Sequence, residues 1–253
     1  MSDILFGYEE CDPDHRCSAC AAKYATPASI PVLDHGYVRP VEHWGSDSRI
    51  VEAARMSTSG GFVSWEPYEK HPRGDRGLLE YLWKHKHATP FEMAGLVIEV
   101  QAPIFVFREW HRHRTQSYNE MSARYTPLPD LNYVPSVERI MANANGNKQA
   151  AAMAETTEQA AEAFRNNLGS LYERDEQFYQ ISLAMGIPKE LARLVLPVGR
   201  YSRMRASANL RNWLAFLTLR LDPAAQWEIR QFAQAVGSLI AERFPETWKL
   251  FIA

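Results

Sequence analysis

The stretch from Arg108 to Tyr125 holds the residue types that most clearly could do chemistry. It contains arginines at positions 108, 112, 114 and 124, in a chain that is slightly acidic as a whole. Fixed guanidinium groups beside small hydroxyl and amide donors suit a phosphate or diphosphate, so we predict a ligand pocket here. A solvated basic helix face is the alternative, but Trp110 and Tyr118 lie among the charges and favour the pocket. The interleaved polar residues are His111, His113, Ser117, Asn119, Glu120 and Ser122.

Two histidine pairs, His85/His87 and His111/His113, raise the question of a metal site. On a helix, residues two apart point to roughly opposite sides, because each residue turns by about 100°. Neither pair could then chelate one ion unless its backbone were extended, and no His-Glu-x-x-His pattern supports a site. We therefore predict no metal.

The three cysteines, Cys11, Cys17 and Cys20, all lie near the start of the sequence. An odd number confined to one region is not a disulfide framework. Together with His15 they could bind zinc, but a zinc site usually needs a second paired cluster, and none follows. We expect residues 1–30 to form an irregular N-terminal extension with reduced thiols. No cysteine follows it, so residues 31–253 offer no thiol nucleophile.

The composition is that of a globular enzyme. Of 253 residues, 46% are hydrophobic and 23% are charged, and 28 basic against 30 acidic residues give a formal charge of −2. This balance argues against general binding of nucleic acid but permits a local anion site. No apolar run suits a membrane span and no signal peptide is evident, so we expect a cytoplasmic protein. The Gly-rich dinucleotide fingerprint and the P-loop are also missing.

Hydrophobic periodicity predicts one α+β domain over residues 31–253, with helices packed around a modest, mostly antiparallel sheet. Pro103 suits a helix start, which favours a helix over a strand in the run that follows it. The predicted strands are Tyr37–Val41, Leu96–Val100 and Tyr201–Ala208. The predicted helices are 46–55, 75–85, 104–111, 148–185, 189–196, 210–221 and 229–244.

Two kinds of segment carry further expectations. Residues 58–74 and 126–147 are rich in turn-forming residues, so we predict loops, the second long and mobile. The longest helix, from Lys148 to Met185, should bury one face against the core. The residues expected on that face are Phe164, Leu168, Leu171, Phe178 and Ile181.

Several motifs, in this order, are similar to those of the flavin-dependent thymidylate synthase (ThyX) family. Arg112-His113-Arg114, then seven residues, then Ser122 resembles the family's RHRx7S signature. The similarity extends over about residues 37–243. The other matching segments are Ala53–Ser57, His87–Glu92, Glu190–Pro197, Asn209–Arg211, Leu219–Asp222 and Gln226–Arg230.

The resemblance implies an enzyme that reductively methylates dUMP to dTMP. The implied carbon donor is 5,10-methylenetetrahydrofolate, and FAD reduced by NADPH would supply the hydride, without a cysteine nucleophile. A homotetramer with active sites shared between subunits is also implied. Arg220 would be catalytic, facing the uracil and favouring ionisation at its N3. The implied FAD contacts are Ser57, His87, Thr89, Glu92, Arg112, His113, Arg114, Glu120, Asn209, Arg211 and Ala215. The implied dUMP contacts are Glu109, Arg112, Glu120, Ser122, Ala123, Arg124, Arg193 and Arg220.

Three positions depart from the family pattern. Glu109 stands where the family often has Gln, Ala215 where some members have a flavin-contacting Asn, and Ala224 where a His is common. These departures leave UMP methylation and dUMP hydroxymethylation open as alternatives on the same fold. A different class is a non-catalytic nucleotide- or RNA-binding module that uses the arginines and stacks bases on Tyr118.

Asn209 and Arg220 are eleven residues apart at the two ends of the predicted helix 210–221. They would lie nearly in line and ~16 Å apart, so one flank of the helix could touch two ends of a large ligand. The alternative is that Asn209 only caps the helix and Arg220 only interacts with its C-terminal dipole.

Overall fold

The computed structural model describes residues 29–69, 71–142 and 156–253. Within these ranges, one antiparallel sheet has the strand order β1–β2–β3–β5–β4. Strands β1 to β5 are Ile30–Val32, Gly36–Trp44, Gly95–Pro103, Ser117–Glu120 and Tyr201–Asn209. Helices α1 to α9 are Asp47–Arg55, Arg76–Lys84, Ile104–Trp110, Val137–Met141, Glu158–Ala184, Lys189–Ala192, Leu210–Arg220, Trp227–Arg243 and Pro245–Ile252. The predicted single α+β domain with an antiparallel sheet is confirmed.

The two central strands, β3 and β5, pair along their whole length, from Gly95 opposite Asn209 to Pro103 opposite Tyr201. Side chains alternate between the faces of a strand, so every second residue of β3 points to the core. Leu96, Ile98 and Val100 are buried on that side. None of the helices in the described ranges is both long and apolar enough to cross a membrane.

Helices α7 and α8 cover the apolar face of the sheet. Leu214 and Leu217 of α7 are buried, and the Trp213 indole donates a hydrogen bond to the Leu96 carbonyl at 2.9 Å. Trp110, at the end of α3, is fully buried and stacks on Phe216 with ring centroids 4.7 Å apart. It therefore belongs to the core, which corrects its expected place in a ligand pocket.

Two buried aspartates fasten the helices to distant parts of the chain. The Asp47 carboxylate accepts hydrogen bonds from the Glu246 amide at 2.8 Å and from the Thr247 hydroxyl at 2.6 Å, so the starts of α1 and α9 are joined. Asp75, directly before α2, accepts from the Val63 amide at 2.6 Å and pairs with Arg55. These contacts hold the predicted 58–74 loop against the domain.

Helix α5 is where the burial prediction is wrong. Phe164, Leu171, Phe178 and Ile181 are 43–59% exposed, and Leu168 is only half-buried. The buried positions of α5 are instead Ala161, Tyr179 and Ser182. The predicted helix start at Lys148 lies outside the described residues, and α5 begins at Glu158 with its N-cap at Thr157.

The predicted 126–147 loop is also partly wrong, because it contains α4. Ser136 caps this helix by accepting a hydrogen bond from the Arg139 amide at 3.1 Å. The Arg139 guanidinium then donates to buried Glu228 of α8 at 2.8 Å. A capped start and this ion pair explain why a short helix forms among the prolines. Residues 143–147 of the predicted loop lie outside the described ranges.

Candidate active site

Arg220, the last residue of α7, is the centre of a hydrogen-bonded cluster with the end of α3. Its Nε donates to His113 Nε2 at 2.8 Å, its Nη1 to Glu109 Oε2 at 2.9 Å, and its Nη2 to the Glu109 carbonyl at 3.0 Å. The Arg220 side chain is only 15% exposed. The predicted catalytic guanidinium is therefore held in one orientation by two residues that resemblance gave to other roles.

His113 is a neutral acceptor in this cluster. Burial, and then the charge of Arg220, lower the pKa of His113 from 6.5 to about 4. Because Nε2 accepts the hydrogen bond from Arg220, the proton of the neutral ring is assigned to Nδ1. The ring also packs edge-on against Phe216, with centroids 4.8 Å apart. His113 thus fixes Arg220 without adding charge beside it.

The turn between α3 and β4 presents two further arginines, Arg112 and Arg114. Both are exposed, and neither guanidinium makes an ion pair or hydrogen bond with any residue in the described ranges. The turn itself is rigidly tied, because the Tyr118 hydroxyl donates to the His113 carbonyl at 2.7 Å. Burial raises the pKa of Tyr118 to about 12. Tyr118 is thus a structural clamp, which weakens its expected use in base stacking.

A groove of about 520 Å³ runs between the α2 end and α7, and three implied FAD contacts line it together: His87, Arg211 and Ala215. The Glu92 carboxylate pairs with Arg211 at 2.5 Å. Thr89 lines an adjoining groove of about 360 Å³, which also includes His87. The structure therefore brings these five positions to one side of the domain. Leu214 and Thr218 also line the first groove, and their one-turn spacing from Arg211 and Ala215 could have revealed them.

Two other implied FAD contacts have local structural partners. The Asn209 side chain accepts from the Asn212 amide at 3.0 Å and so caps α7, as the simpler alternative expected. The Ser57 hydroxyl donates to the Ala54 carbonyl at 3.1 Å at the end of α1. Asn209 still lies two residues before Arg211 at the groove.

Some of the residues implied to bind the nucleotide form a second cluster, which lies after β4 and beside α6. Ser122 accepts from the Arg124 amide at 3.3 Å, and the Arg124 guanidinium lies 3.4 Å from Glu190 of α6. Ala123 is buried, and half-buried Arg193 follows α6 directly. Sequence reasoning missed the Glu190 pairing, although Glu190 lies in the same matching segment as Arg193.

Among the described residues, the two clusters are not linked directly. No ion pair or hydrogen bond among the described residues links Arg124 or Arg193 to Arg220. Glu120, at the exposed end of β4, likewise makes no side-chain contact to the Arg220 cluster. Nor does any group of three His, Cys, Asp or Glu side chains in the described ranges have the geometry for a metal ion. The His85 and His87 rings are 6.4 Å apart.

The fold and the site define an α+β protein with an antiparallel sheet, an open groove and arginines that face solvent without partners in the described ranges, as a large anionic ligand requires. The family model Thy1, described as "Thymidylate synthase complementing protein", matches residues 40–246. The chain therefore belongs to the flavin-dependent thymidylate synthase (ThyX) family, a family of enzymes, and the resemblance read from the motifs is confirmed.

Individual relatives agree with this assignment. A flavin-dependent thymidylate synthase of Thermus thermophilus is 42% identical over 89% of this chain and 78% of its own. That of Thermosipho melanesiensis is 39% identical over 87% of this chain and 92% of its own. Among solved structures, the UMP/dUMP methylase PolB from Streptomyces cacaoi, bound with 5-Br dUMP, is 34% identical with a TM-score of 0.75. The match covers 88% of this chain and 97% of PolB.

Proposed function

We propose that this protein reductively methylates dUMP to dTMP. The observation that carries the proposal is the Arg220 cluster, a mostly buried guanidinium that Glu109 and His113 hold in one orientation. Relatives named flavin-dependent thymidylate synthase support the reaction, and a dUMP analogue bound to the similar PolB structure supports the substrate.

The donor set of the groove fits FAD. His87, Thr89 and Arg211 offer hydrogen-bond donors around an open space. Outside the groove lining, the exposed Arg112 and Arg114, unpartnered within the described ranges, offer charge for the FAD diphosphate. When bound, FAD supplies the hydride that the methylation requires. We propose NADPH as its reductant and 5,10-methylenetetrahydrofolate as the carbon donor.

Different residues of this chain would bind the phosphate and the pyrimidine of the nucleotide. Ser122, Arg124 and Arg193 suit the phosphate, because hydroxyl and guanidinium donors lie at the surface there. Arg220 suits the pyrimidine, since a preorganised cation stabilises negative charge that develops on the ring. No cysteine is needed for this polarisation. We place the enzyme in the cytoplasm, with no nucleic-acid or membrane partner.

The test is an absorption spectrum of the purified protein together with dTMP formation. We expect the absorption bands of a flavin, and we expect denaturation to release this flavin from the protein. We also expect dTMP to form when dUMP, methylenetetrahydrofolate and NADPH are added. Colourless protein that takes up no added FAD would overturn the proposal. If such colourless protein also bound RNA with a steep salt dependence, we would instead assign it as a non-catalytic RNA-binding module.

UMP is the second candidate substrate, because the similar PolB structure is named a UMP/dUMP methylase and was also solved with 5-Br UMP. We expect dUMP to win a competition in which both nucleotides are present at equal concentration. Preferential methylation of UMP would make the protein a UMP methylase. A hydroxymethylated product would make it a dUMP hydroxymethylase.

We also propose a homotetramer with shared active sites. Its support is the outward stripe of α5, where Phe164, Phe178 and Ile181 are 52–59% exposed, and a second copy of the chain would cover such a stripe. Among the described residues no hydrogen bond or ion pair links the Arg220 and Arg124 clusters, which agrees with sites completed by another subunit. Ile181→Glu should shift the mass in light scattering to smaller species, while exposed Gln234→Glu on α8 should not. Wild type that is monomeric would contradict the proposal.

A further inference from the structure

Glu109 makes contacts that no motif indicated. Resemblance places it against dUMP, yet its carboxylate and its carbonyl both accept hydrogen bonds from Arg220. The Glu109 side chain is 43% exposed and that of Arg220 is 15% exposed, so the pair lies at the edge of the core. An acidic group therefore contacts the guanidinium that the proposed function assigns to the pyrimidine.

The hydrogen bonds of Arg220 leave two donors available. A guanidinium has five N–H groups. One goes to His113, one to the Glu109 carboxylate and one to the Glu109 carbonyl, and in the described part of the chain no acceptor takes the others. One free N–H remains on each terminal nitrogen, which is the number needed for a bidentate contact with neighbouring acceptors such as a pyrimidine oxygen and N3.

The charge beside those donors is set by one residue. Glu109 carries the one carboxylate that pairs with Arg220 among the described residues. The neighbouring His113 ring adds no positive charge at neutral pH. A carboxylate oxygen 2.9 Å from Nη1 of the guanidinium reduces the potential that a negative pyrimidine would meet at the free donors.

We propose that Glu109 is a positioning residue that points Arg220 toward the pyrimidine and at the same time weakens the preference of Arg220 for a pyrimidine deprotonated at N3. The inference rests on the proposed function, in which Arg220 contacts the base. The inference extends the proposed function, because the Glu109 carboxylate would act as a counter-charge to Arg220 and limit ionisation of the bound pyrimidine at N3.

The test compares dUMP with 5-fluoro-dUMP, whose fluorine makes N3 more acidic. Calorimetry with the FAD-loaded protein at neutral pH gives the ratio of the two dissociation constants, Kd(dUMP) to Kd(5-fluoro-dUMP). Glu109→Gln keeps an acceptor for Nη1 but removes the charge, so the ratio should rise about tenfold. Glu80→Gln, which removes a carboxylate from the exposed pair with Arg73, is the matched control and should leave it unchanged.

Orientation is tested by turnover. Glu109→Ala removes the acceptor as well as the charge, so kcat should fall further than in Glu109→Gln, with flavin content unchanged. A ratio in Glu109→Gln within about twofold of wild type, or below it, overturns the inference even if wild type makes dTMP. If wild type binds neither nucleotide, the proposed function fails, and the inference fails with it.

Discussion

Arg112 and Arg114 flank His113, the residue that accepts a hydrogen bond from Arg220, yet the surroundings of these arginines and of Arg220 are opposite. The Arg220 side chain is only 15% exposed and uses three donors on acceptors of its own chain, whereas both other guanidinium groups face solvent without a partner in the described ranges. A cation that is already held does not have to be ordered when the substrate arrives. A free cation gains its contacts only when a ligand or another subunit supplies them.

This difference separates two tasks within one site. The held arginine suits chemistry, because a fixed donor costs no reorganisation during the reaction. The free arginines suit capture of a charged ligand, because their exposed side chains can adapt to its phosphates. Replacing one residue from each group tests the separation directly.

The largest effect should come from Arg220→Ala, which removes the held cation. We expect turnover to fall by ~10²–10³, since that is the usual cost of losing one preorganised donor. Arg220→Lys keeps a charge but loses the planar guanidinium, so its turnover should lie between those of wild type and Arg220→Ala. The measurement is dTMP formation beside flavin occupancy, which should stay near wild type. Equal loss of bound FAD and of activity would show that Arg220 is not catalytic.

Arg114→Ala should show the reverse pattern. Loss of one charge-assisted contact of ~1.5–3 kcal/mol should weaken FAD binding about 10- to 150-fold. Stability should change by less than about 0.5 kcal/mol, because the side chain is exposed and has no partner in the described ranges. Flavin titration and thermal unfolding measure the two quantities, with exposed Arg243→Ala as the control. A large drop in stability with normal FAD binding would show that Arg114 is structural.

A smaller effect concerns the neutral partner of Arg220. The pKa of His113 is about 4 in the folded protein, below its ordinary value, because of burial and Arg220. The unfolded chain therefore takes up a proton at higher pH than the folded chain, and stability should fall between about pH 6.5 and 4. After allowance for solvent screening the loss is about 1–2 kcal/mol. His113→Gln, which accepts without titrating, should flatten this part of the Tm profile.

The smallest effect is expected outside both arginine groups. Changing Cys11, Cys17 and Cys20 together to Ser should leave dTMP formation almost unchanged, because the proposed chemistry needs no thiolate nucleophile. These residues lie outside the described ranges. A folded triple variant without turnover would make the extension part of the catalytic machinery.

Local chemistry predicted the framework of the fold. β-branched residues in 96–100 and alternation in 201–208 predicted the central strands, and Pro103 predicted the start of α3. Strand β4 was not predicted, because its side chains are mostly polar and it lies at the sheet edge. Helix α9 was not predicted either, although Pro245 occupies its first turn, a position that suits proline.

The same reasoning failed where the outcome depends on distant partners. Periodicity correctly placed Phe164 and Phe178 in a helix, but it does not show what covers that face, and here the described part of the chain does not. The contacts of Arg220 with Glu109 and His113 span more than 100 residues of sequence, so no motif spacing could contain them. The motifs predict the members of the site, whereas tertiary packing decides their partners.

The carboxylate of Asp47 has a consequence for the order of biosynthesis. Its partners Glu246 and Thr247 are about 200 residues later in the chain, so they do not exist while the ribosome is producing the sheet. During that interval α1 can form, but the Asp47 carboxylate at its start cannot be both buried and fully hydrogen-bonded. The docking of α9 can therefore complete this end of the domain only after Pro245–Ile252 have been translated. Until then, a nascent chain must leave this end of the core open to water and to chaperones.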